Sequence, residues 1–215
     1  MITEFGKSNT ILNTFLRELR DVTIQKDSMR FRRNLERIGE IIAYEISKTL
    51  KYKTSEITTP LAKTKVNLPA EQPVIATILR AGLPLHNGVL NYFDRAENTF
   101  ISAYRKHGDQ NNFEVEIEYL ASPNIDGKTL IICDPMLATG SSMVLAYKAI
   151  LEKGTPKKVH VVSVVASKKG MEFCIKNLPQ EVDYWIGEID ETLDEKSYIV
   201  PGLGDAGDLA YGTKE

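Results

Sequence analysis

Residues 129–142 read Thr129-Leu130-Ile131-Ile132-Cys133-Asp134-Pro135-Met136-Leu137-Ala138-Thr139-Gly140-Ser141-Ser142, and the rest of the chain is read outward from them. The first five form a short, continuous apolar run, as in a strand buried on both faces. An acid ends the run, and Ala, Thr, Gly and Ser then lead into a helix expected over Ser141–Lys153. Small residues at a helix start leave backbone N–H groups accessible, and Thr139, Ser141 and Ser142 add hydroxyls. The helix dipole favours negative charge there by roughly 0.3–1 kcal/mol. This is the chemistry of a phosphate cradle. It is not a P-loop, because no Gly-Lys-Ser/Thr follows the turn. Asp134 beside such a cradle suits the hydroxyls of a sugar carried on the phosphate. A polar strand end with a helix cap accounts for the same spacing equally well.

Similar apolar runs lie on both sides: Val74–Leu79, Thr99–Tyr104, Lys128–Cys133 and Val159–Ala166, with Val182–Ile186 as a fifth. Helical segments over Leu83–Asn91, Ser141–Lys153 and Lys168–Asn177 lie between several of them. Strands alternating with helices predict a parallel α/β sheet with right-handed crossovers. Such sheets bind ligands beyond the carboxyl ends of their strands, which here means Arg80, Tyr104-Arg105 and Asp134. Upstream, Ile11–Arg20 reads as a short amphipathic helix. A longer one opens at the N-cap Asp27 and runs toward Leu50, with Phe31, Leu35, Ile38, Ile42 and Ile46 at helical spacing. Lys51–Pro69, rich in Thr and Lys, reads as an extended arm or hairpin.

The 215 residues are 42% hydrophobic and 26% charged, ordinary values for a soluble globular chain able to bury a core without staples. A net charge of −2 gives no bulk attraction to nucleic acid or membrane, so an anionic ligand must be held by local geometry. Cys133 and Cys174 lack metal-like spacing and read as reduced, buried thiols. His86, His107 and His160 are scattered, so no metal-ligand cluster is expected. No apolar stretch approaches membrane-spanning length, and Met1–Gly6 lacks a basic region followed by an apolar one. A cytoplasmic protein without membrane attachment is the expectation.

Three further stretches carry chemistry. Ile78-Leu79-Arg80-Ala81-Gly82-Leu83-Pro84 sets a guanidinium fork, suited to diphosphate oxygens, at a strand end where Ala-Gly allows close backbone approach. Tyr104-Arg105 closes a strand and precedes a polar stretch, Lys106–Asn112, and an alternating one, Val115–Tyr119, which together read as a mobile hairpin, serving either as a lid or as an inert surface loop. Ser197-Tyr198-Ile199-Val200-Pro201-Gly202-Leu203-Gly204-Asp205-Ala206-Gly207-Asp208 contains a G-x-G-x-x-G pattern. Only eight residues follow Gly207, too few for a dinucleotide fold, so a base-binding turn fits better than an oxidoreductase.

In this order the four stretches resemble the uracil phosphoribosyltransferases, a branch of the type I phosphoribosyltransferases, over about Val74–Thr213. The resemblance implies an α/β fold, a parallel sheet flanked by helices. It implies a single domain with N-terminal helices and a β-arm over 1–72, a core over 73–189 with a flap at about 105–120, and a base-binding hood over 190–215. Asp134, Pro135, Met136, Leu137, Ala138, Thr139, Gly140, Ser141 and Ser142 would hold phosphoribosyl diphosphate, the acid meeting the ribose and the rest the 5′-phosphate. Arg80 and Arg105 would take the diphosphate. Ile199, Gly204, Asp205 and Ala206 would read uracil through the backbone, with Asp205 also facing the donor. Asp205 is the one candidate for a catalytic role; no general base is identified.

The implied reaction joins uracil to phosphoribosyl diphosphate, giving UMP and diphosphate, with Mg²⁺ carried on the substrate. GTP is an effector in some relatives, and a homodimer or higher homo-oligomer is expected, without nucleic acid. The sequence departs from the family in having Ser141 after Gly140, Pro84 where Gly is common, and Leu209-Ala210-Tyr211 in place of Arg-x-Phe. The alternatives are an RNA-binding pyrimidine regulator on the same fold, or a homologue whose activity has been lost.

Overall fold

The computed structural model describes residues 1–107 and 113–213, with the backbone alone over 103–107 and 113–116. In chain order it contains β1 (Ile2–Glu4), α1 (Leu12–Arg20), α2 (Ser28–Ser47), β2 (Tyr52–Thr58), β3 (Lys63–Pro69), β4 (Val74–Leu79), α3 (Leu83–Tyr92), β5 (Glu97–His107) and β6 (Phe113–Ala121). There follow β7 (Thr129–Cys133), β8 (Met136–Leu137), α4 (Ser141–Ile150), β9 (Lys158–Ser167), α5 (Lys168–Asn177), β10 (Asp183–Asp190), β11 (Thr192–Leu193), β12 (Ile199–Val200) and α6 (Ala206–Tyr211). Each apolar run expected to be a strand is one.

The central sheet has the order β1-β10-β9-β7-β4-β5-β6, with β8 alongside β9. All neighbours are parallel except β5 and β6, which pair antiparallel, so the sheet is mixed at that edge. Alternation along the strands divides the core in two. Ile75, Ile131, Val162 and Trp185 pack with α1, α2 and α3 through Leu12, Leu35 and Leu85. Ala76, Ile132, Val161 and Ile186 point the other way, onto Met143 and Val144 of α4 and Met171 and Cys174 of α5. Burial of each such Leu, Ile or Val is worth roughly 1.5–3 kcal/mol, which is why continuous apolar runs choose the strands between two helical layers.

The Asp27 carboxylate caps α2 by accepting the Arg30 N–H at 3.0 Å. The helix stops at Ser47, short of Leu50, because Lys48, Thr49 and Leu50 bond three residues back and the Thr49 hydroxyl takes the Ile46 carbonyl. The expected arm is the antiparallel hairpin β2–β3, registered from Tyr52↔Pro69 to Thr58↔Lys63 and largely exposed. Strand β1 was not expected: Ile2-Thr3-Glu4 is too short to show a period, and its place is fixed by pairing along β10. Both cysteines are free and buried. His160 is a core residue that accepts the Trp185 indole N–H at 3.0 Å, and burial pushes its pKa down to about 4.

Strand β4 has β5 on one side and β7 on the other, so the order of connection reverses between β4 and β7. The ends of these two strands lie side by side, with Thr77 opposite Cys133. A ligand crevice belongs at such a point.

Candidate active site

Arg80 follows the last residue of β4 and Asp134 the last residue of β7, so the switch point juxtaposes the two. The peptide before Arg80 is cis. Gly82 serves a purpose other than approach to a ligand. A Cβ there would lie 2.3 Å from Thr77 Oγ1 and 2.8 Å from the Cys133 carbonyl, so the glycine lets the β4 and β7 ends close on each other.

The loop after β7 forms a small polar pocket open to solvent, lined by Asp134, Met136, Leu137, Ala138, Thr139, Gly140, Ser142 and Met143. Pro135 is buried beneath it, its carbonyl accepting the N–H groups of Val164 and Val165. Gly140 takes the left-handed conformation, φ +78°, that turns the loop into α4, and Ser141 is the first helical residue with an ordinary negative φ. The serine in place of a second glycine is therefore unstrained. Its Oγ accepts the Thr139 hydroxyl at 3.1 Å, while its N–H reaches Thr139 Oγ1 at 3.4 Å. The loop thus offers two hydroxyls and a helix N-terminus to an anion. Asp134 is half-buried at one wall. Desolvation pushes its carboxyl up to about 7, against the lowering effect of the Met136 N–H.

The C-terminal segment comes to the same end of the sheet. Arg80 Nη2 lies 3.3 Å from Asp208 Oδ1 and donates to the Gly212 carbonyl at 3.3 Å. Asp205 caps α6 by accepting the Asp208 N–H at 2.9 Å, so its carboxylate already has a structural task. Ile199 is buried on β12, Gly204 has φ +90°, and Ala206 is buried at the start of α6. This segment was read as a glycine-rich turn; it also holds the six-residue helix α6, made possible by the Asp205 cap.

The turn is tied to the start of the chain. Asp190, at the end of β10, accepts two bonds from Arg20 Nη2 at 2.9 and 3.0 Å and the Gly202 N–H at 2.8 Å. Gln25 Nε2 donates to the carbonyls of Leu19 and Leu203, and Arg32 donates to the Ala210 carbonyl at 2.6 Å.

Arg80 and the Asp134–Ser142 loop thus follow adjacent strand ends at the switch point, though Arg80 does not line the loop pocket, and α6, which follows the Ile199–Asp205 turn, reaches Arg80 through Asp208. The side chain of Arg105 lies outside the described residues, as does 108–112 within the expected flap; its backbone neighbours pair as β5 and β6. Sequence reading missed Asp190, Arg20 and Asp208, because acids and arginines scattered along a chain carry no local signal of which ones will meet.

A mostly parallel sheet flanked by helices, with its switch point between β4 and β7, is a fold found in phosphoribosyltransferase structures. A hypoxanthine phosphoribosyltransferase structure from Staphylococcus aureus shares the fold at a TM-score of 0.52, with 14% identity, covering 92% of this chain and 94% of that one. More narrowly, the chain belongs to the uracil phosphoribosyltransferase family, whose model matches residues 7–213. A uracil phosphoribosyltransferase of Porphyromonas gingivalis is 56% identical over 213 residues, 99% of each chain. A solved protein structure from Aquifex aeolicus superimposes with a TM-score of 0.87 at 31% identity, covering 99% of this chain and 98% of that one. Among the described residues no helix is long and apolar enough to cross a membrane.

Proposed function

We propose that this protein transfers the phosphoribosyl group of 5-phospho-α-D-ribose 1-diphosphate to uracil, giving UMP and diphosphate. The observation that carries the reading is the polar Asp134–Ser142 loop beside Arg80 at the switch point, in a chain matched by the family from residue 7 to residue 213.

In this reading the N–H groups and hydroxyls from Ala138 to Ser142 hold the 5′-phosphate, with Pro135, Met136 and Leu137 shaping the wall, and Asp134 takes the ribose hydroxyls. Arg80 and Arg105 bind the leaving diphosphate and stabilise the charge that develops on it. Backbone groups of Ile199, Gly204, Asp205 and Ala206 match the two carbonyls and ring N–H of uracil and leave no room for an exocyclic amine. The bond from the anomeric carbon to diphosphate breaks, the bond to the uracil nitrogen forms, and the proton from that nitrogen passes to solvent. Asp205 positions the donor; its capping bond makes it a poor choice for general base.

Magnesium fits as a passenger on the diphosphate. The described residues bring no three metal-binding side chains together, while Asp134 and Asp205 supply hard oxygens of the kind that face a substrate-borne ion. When bound, the ion adds positive charge against the leaving group.

The proposed division of labour is 1–72 for the N-terminal helices and arm, 73–189 for the core with its flap, and 190–215 for base recognition. The exposed β2–β3 arm and the N-terminal helices would join copies into a homodimer or higher homo-oligomer. The cytoplasm is the proposed location.

The test mixes the purified protein with phosphoribosyl diphosphate, Mg²⁺ and each free base in turn. UMP formed from uracil alone, and abolished by EDTA, is the expected result; silence with every base would overturn the proposal. GTP added to the same assay tests the effector role.

A further inference from the structure

The floor of the phosphate-type loop is the start of α5, where three buried residues have no task in the chemistry so far described. The Ser167 hydroxyl accepts the Gly170 N–H at 2.8 Å and donates its own proton to the Ala138 carbonyl at 2.6 Å. One oxygen thus caps α5 and pins the loop above it. One turn beyond Gly170, Cys174 donates its S–H to the Gly140 carbonyl at 3.7 Å, and burial pushes its thiol up to about 12, so it remains a donor at neutral pH. Gly170 lies in the space between. A Cβ there would lie 2.4 Å from the Ala138 carbonyl oxygen and 2.6 Å from that of Leu137, so any larger residue must lift the loop.

In a planar trans peptide the C=O and the following N–H point opposite ways. Pinning the Ala138 carbonyl onto α5 therefore aims the Thr139 N–H away from α5, and the Gly140 carbonyl, which takes the Val144 N–H of α4 at 3.1 Å as well as the Cys174 S–H, sends the Ser141 N–H the same way. The pocket is on that side: its lining includes Ala138, Thr139 and Gly140 and none of the three α5 residues. Of these two N–H groups, that of Thr139 has no hydrogen-bond acceptor among the described residues and stands ready for a ligand, while that of Ser141 reaches only Thr139 Oγ1 at 3.4 Å.

We propose that Ser167, with Gly170 and Cys174 beside it, is a positioning residue for phosphate recognition, setting the direction of the loop N–H groups before the ligand arrives. The proposal rests on reading 134–142 as the phosphate-binding loop. A loop held ready loses less freedom on binding than one that must be ordered by its ligand, and the gain is in affinity. Chemistry at the anomeric carbon and recognition of the base lie elsewhere and should be untouched.

The experiment is calorimetric titration of ribose 5-phosphate, which carries the phosphate and sugar without the reaction, into the wild type, Ser167→Ala, Ser167→Thr and Gly170→Ala. Each protein is melted in parallel, and KM for uracil is measured at saturating phosphoribosyl diphosphate. Ser167→Ala should weaken ribose 5-phosphate about tenfold, a change equal to ~1.4 kcal/mol. Gly170→Ala should weaken it more, and Ser167→Thr, which keeps the hydroxyl, should restore most of it. The uracil KM should stay within about twofold of wild type in all three, since uniform loss of fold would move it too. Folded Ser167→Ala and Gly170→Ala proteins that bind ribose 5-phosphate like wild type would overturn the inference while leaving the phosphate-loop reading intact. Failure of the wild type itself to bind would overturn both. If the Ser167 variants do not fold, Gly170→Ala decides alone.

Discussion

Asp190→Ala removes three hydrogen bonds at one carboxylate: two from Arg20 and one from the Gly202 N–H. The Asp190 side chain is 6% exposed and that of Arg20 22%, so the arginine is left mostly buried without its hydrogen-bonded partner, with the Glu188 carboxylate nearby as a weaker counter-charge. Removing one partner of a buried pair costs about 3–5 kcal/mol. Arg20 keeps contact with water on one side, which places the loss at the lower end, about 3 kcal/mol, with the orphaned Gly202 N–H included. At about 2–4 °C per kcal/mol for a chain of this size, the melting temperature should fall by about 6–12 °C. Asp190→Asn keeps an acceptor for Gly202 and should lose about half as much. Calorimetric melting reads the stability, and steady-state kinetics reads the site. Since Gly202 sits in the turn between Ile199 and Gly204, both variants should raise KM for uracil while ribose 5-phosphate binds as before. An unchanged melting temperature in Asp190→Ala would refute the energetic argument. A lower one with unchanged uracil KM would show that the carboxylate does not hold the turn.

Stability should depend on pH through Asp134. An unfolded aspartate ionises near 3.8 and the native one at about 7, so between these values the folded protein keeps a proton that the unfolded chain has released. Stability therefore falls as pH rises through that window, and Asp134→Asn should flatten the fall in urea midpoints measured from pH 5 to 8; equal slopes would assign the effect elsewhere. Ser141→Gly relieves no strain, because Gly140 and not Ser141 has the positive φ. It should form UMP no faster than wild type, and a faster variant would show that Ser141 crowds the phosphate. Gly140→Ala puts a left-handed alanine, at a cost of ~1–2 kcal/mol, into the loop. Its Cβ would also lie 2.8 Å from the Gly170 carbonyl, so ribose 5-phosphate titration should show binding largely lost.

The strands and their order of chemistry could be read from the sequence because burial between two helical layers demands unbroken apolar runs such as Thr129–Cys133 and Val159–Ala166, which announce themselves. The helix cap Asp27 was legible for a similar reason: a cap is a local pattern. What stayed hidden is pairwise and distant. Arg20 and Asp190 are 170 positions apart, and nothing near either names the other. Strand β1 is three residues long and is made by its neighbour rather than by its own propensity. Ser167 could have been found, since a serine just before a helix is an N-cap pattern. Only the fold reveals that the same hydroxyl faces Ala138.

The docking of the C-terminal turn onto the first two helices sets an order in time. Everything that shapes the pocket beneath Thr139, from β4 through the end of α5 at Asn177, is complete before the turn is synthesised. The Ile199–Tyr211 segment has to travel back to Gln25 and Arg32, closing loops of well over a hundred residues. Contacts of such separation form late and slowly. A nascent or refolding chain should therefore acquire its grip on a sugar phosphate first and its recognition of a base last, with the final step the one most easily lost when the N-terminal helices are disturbed.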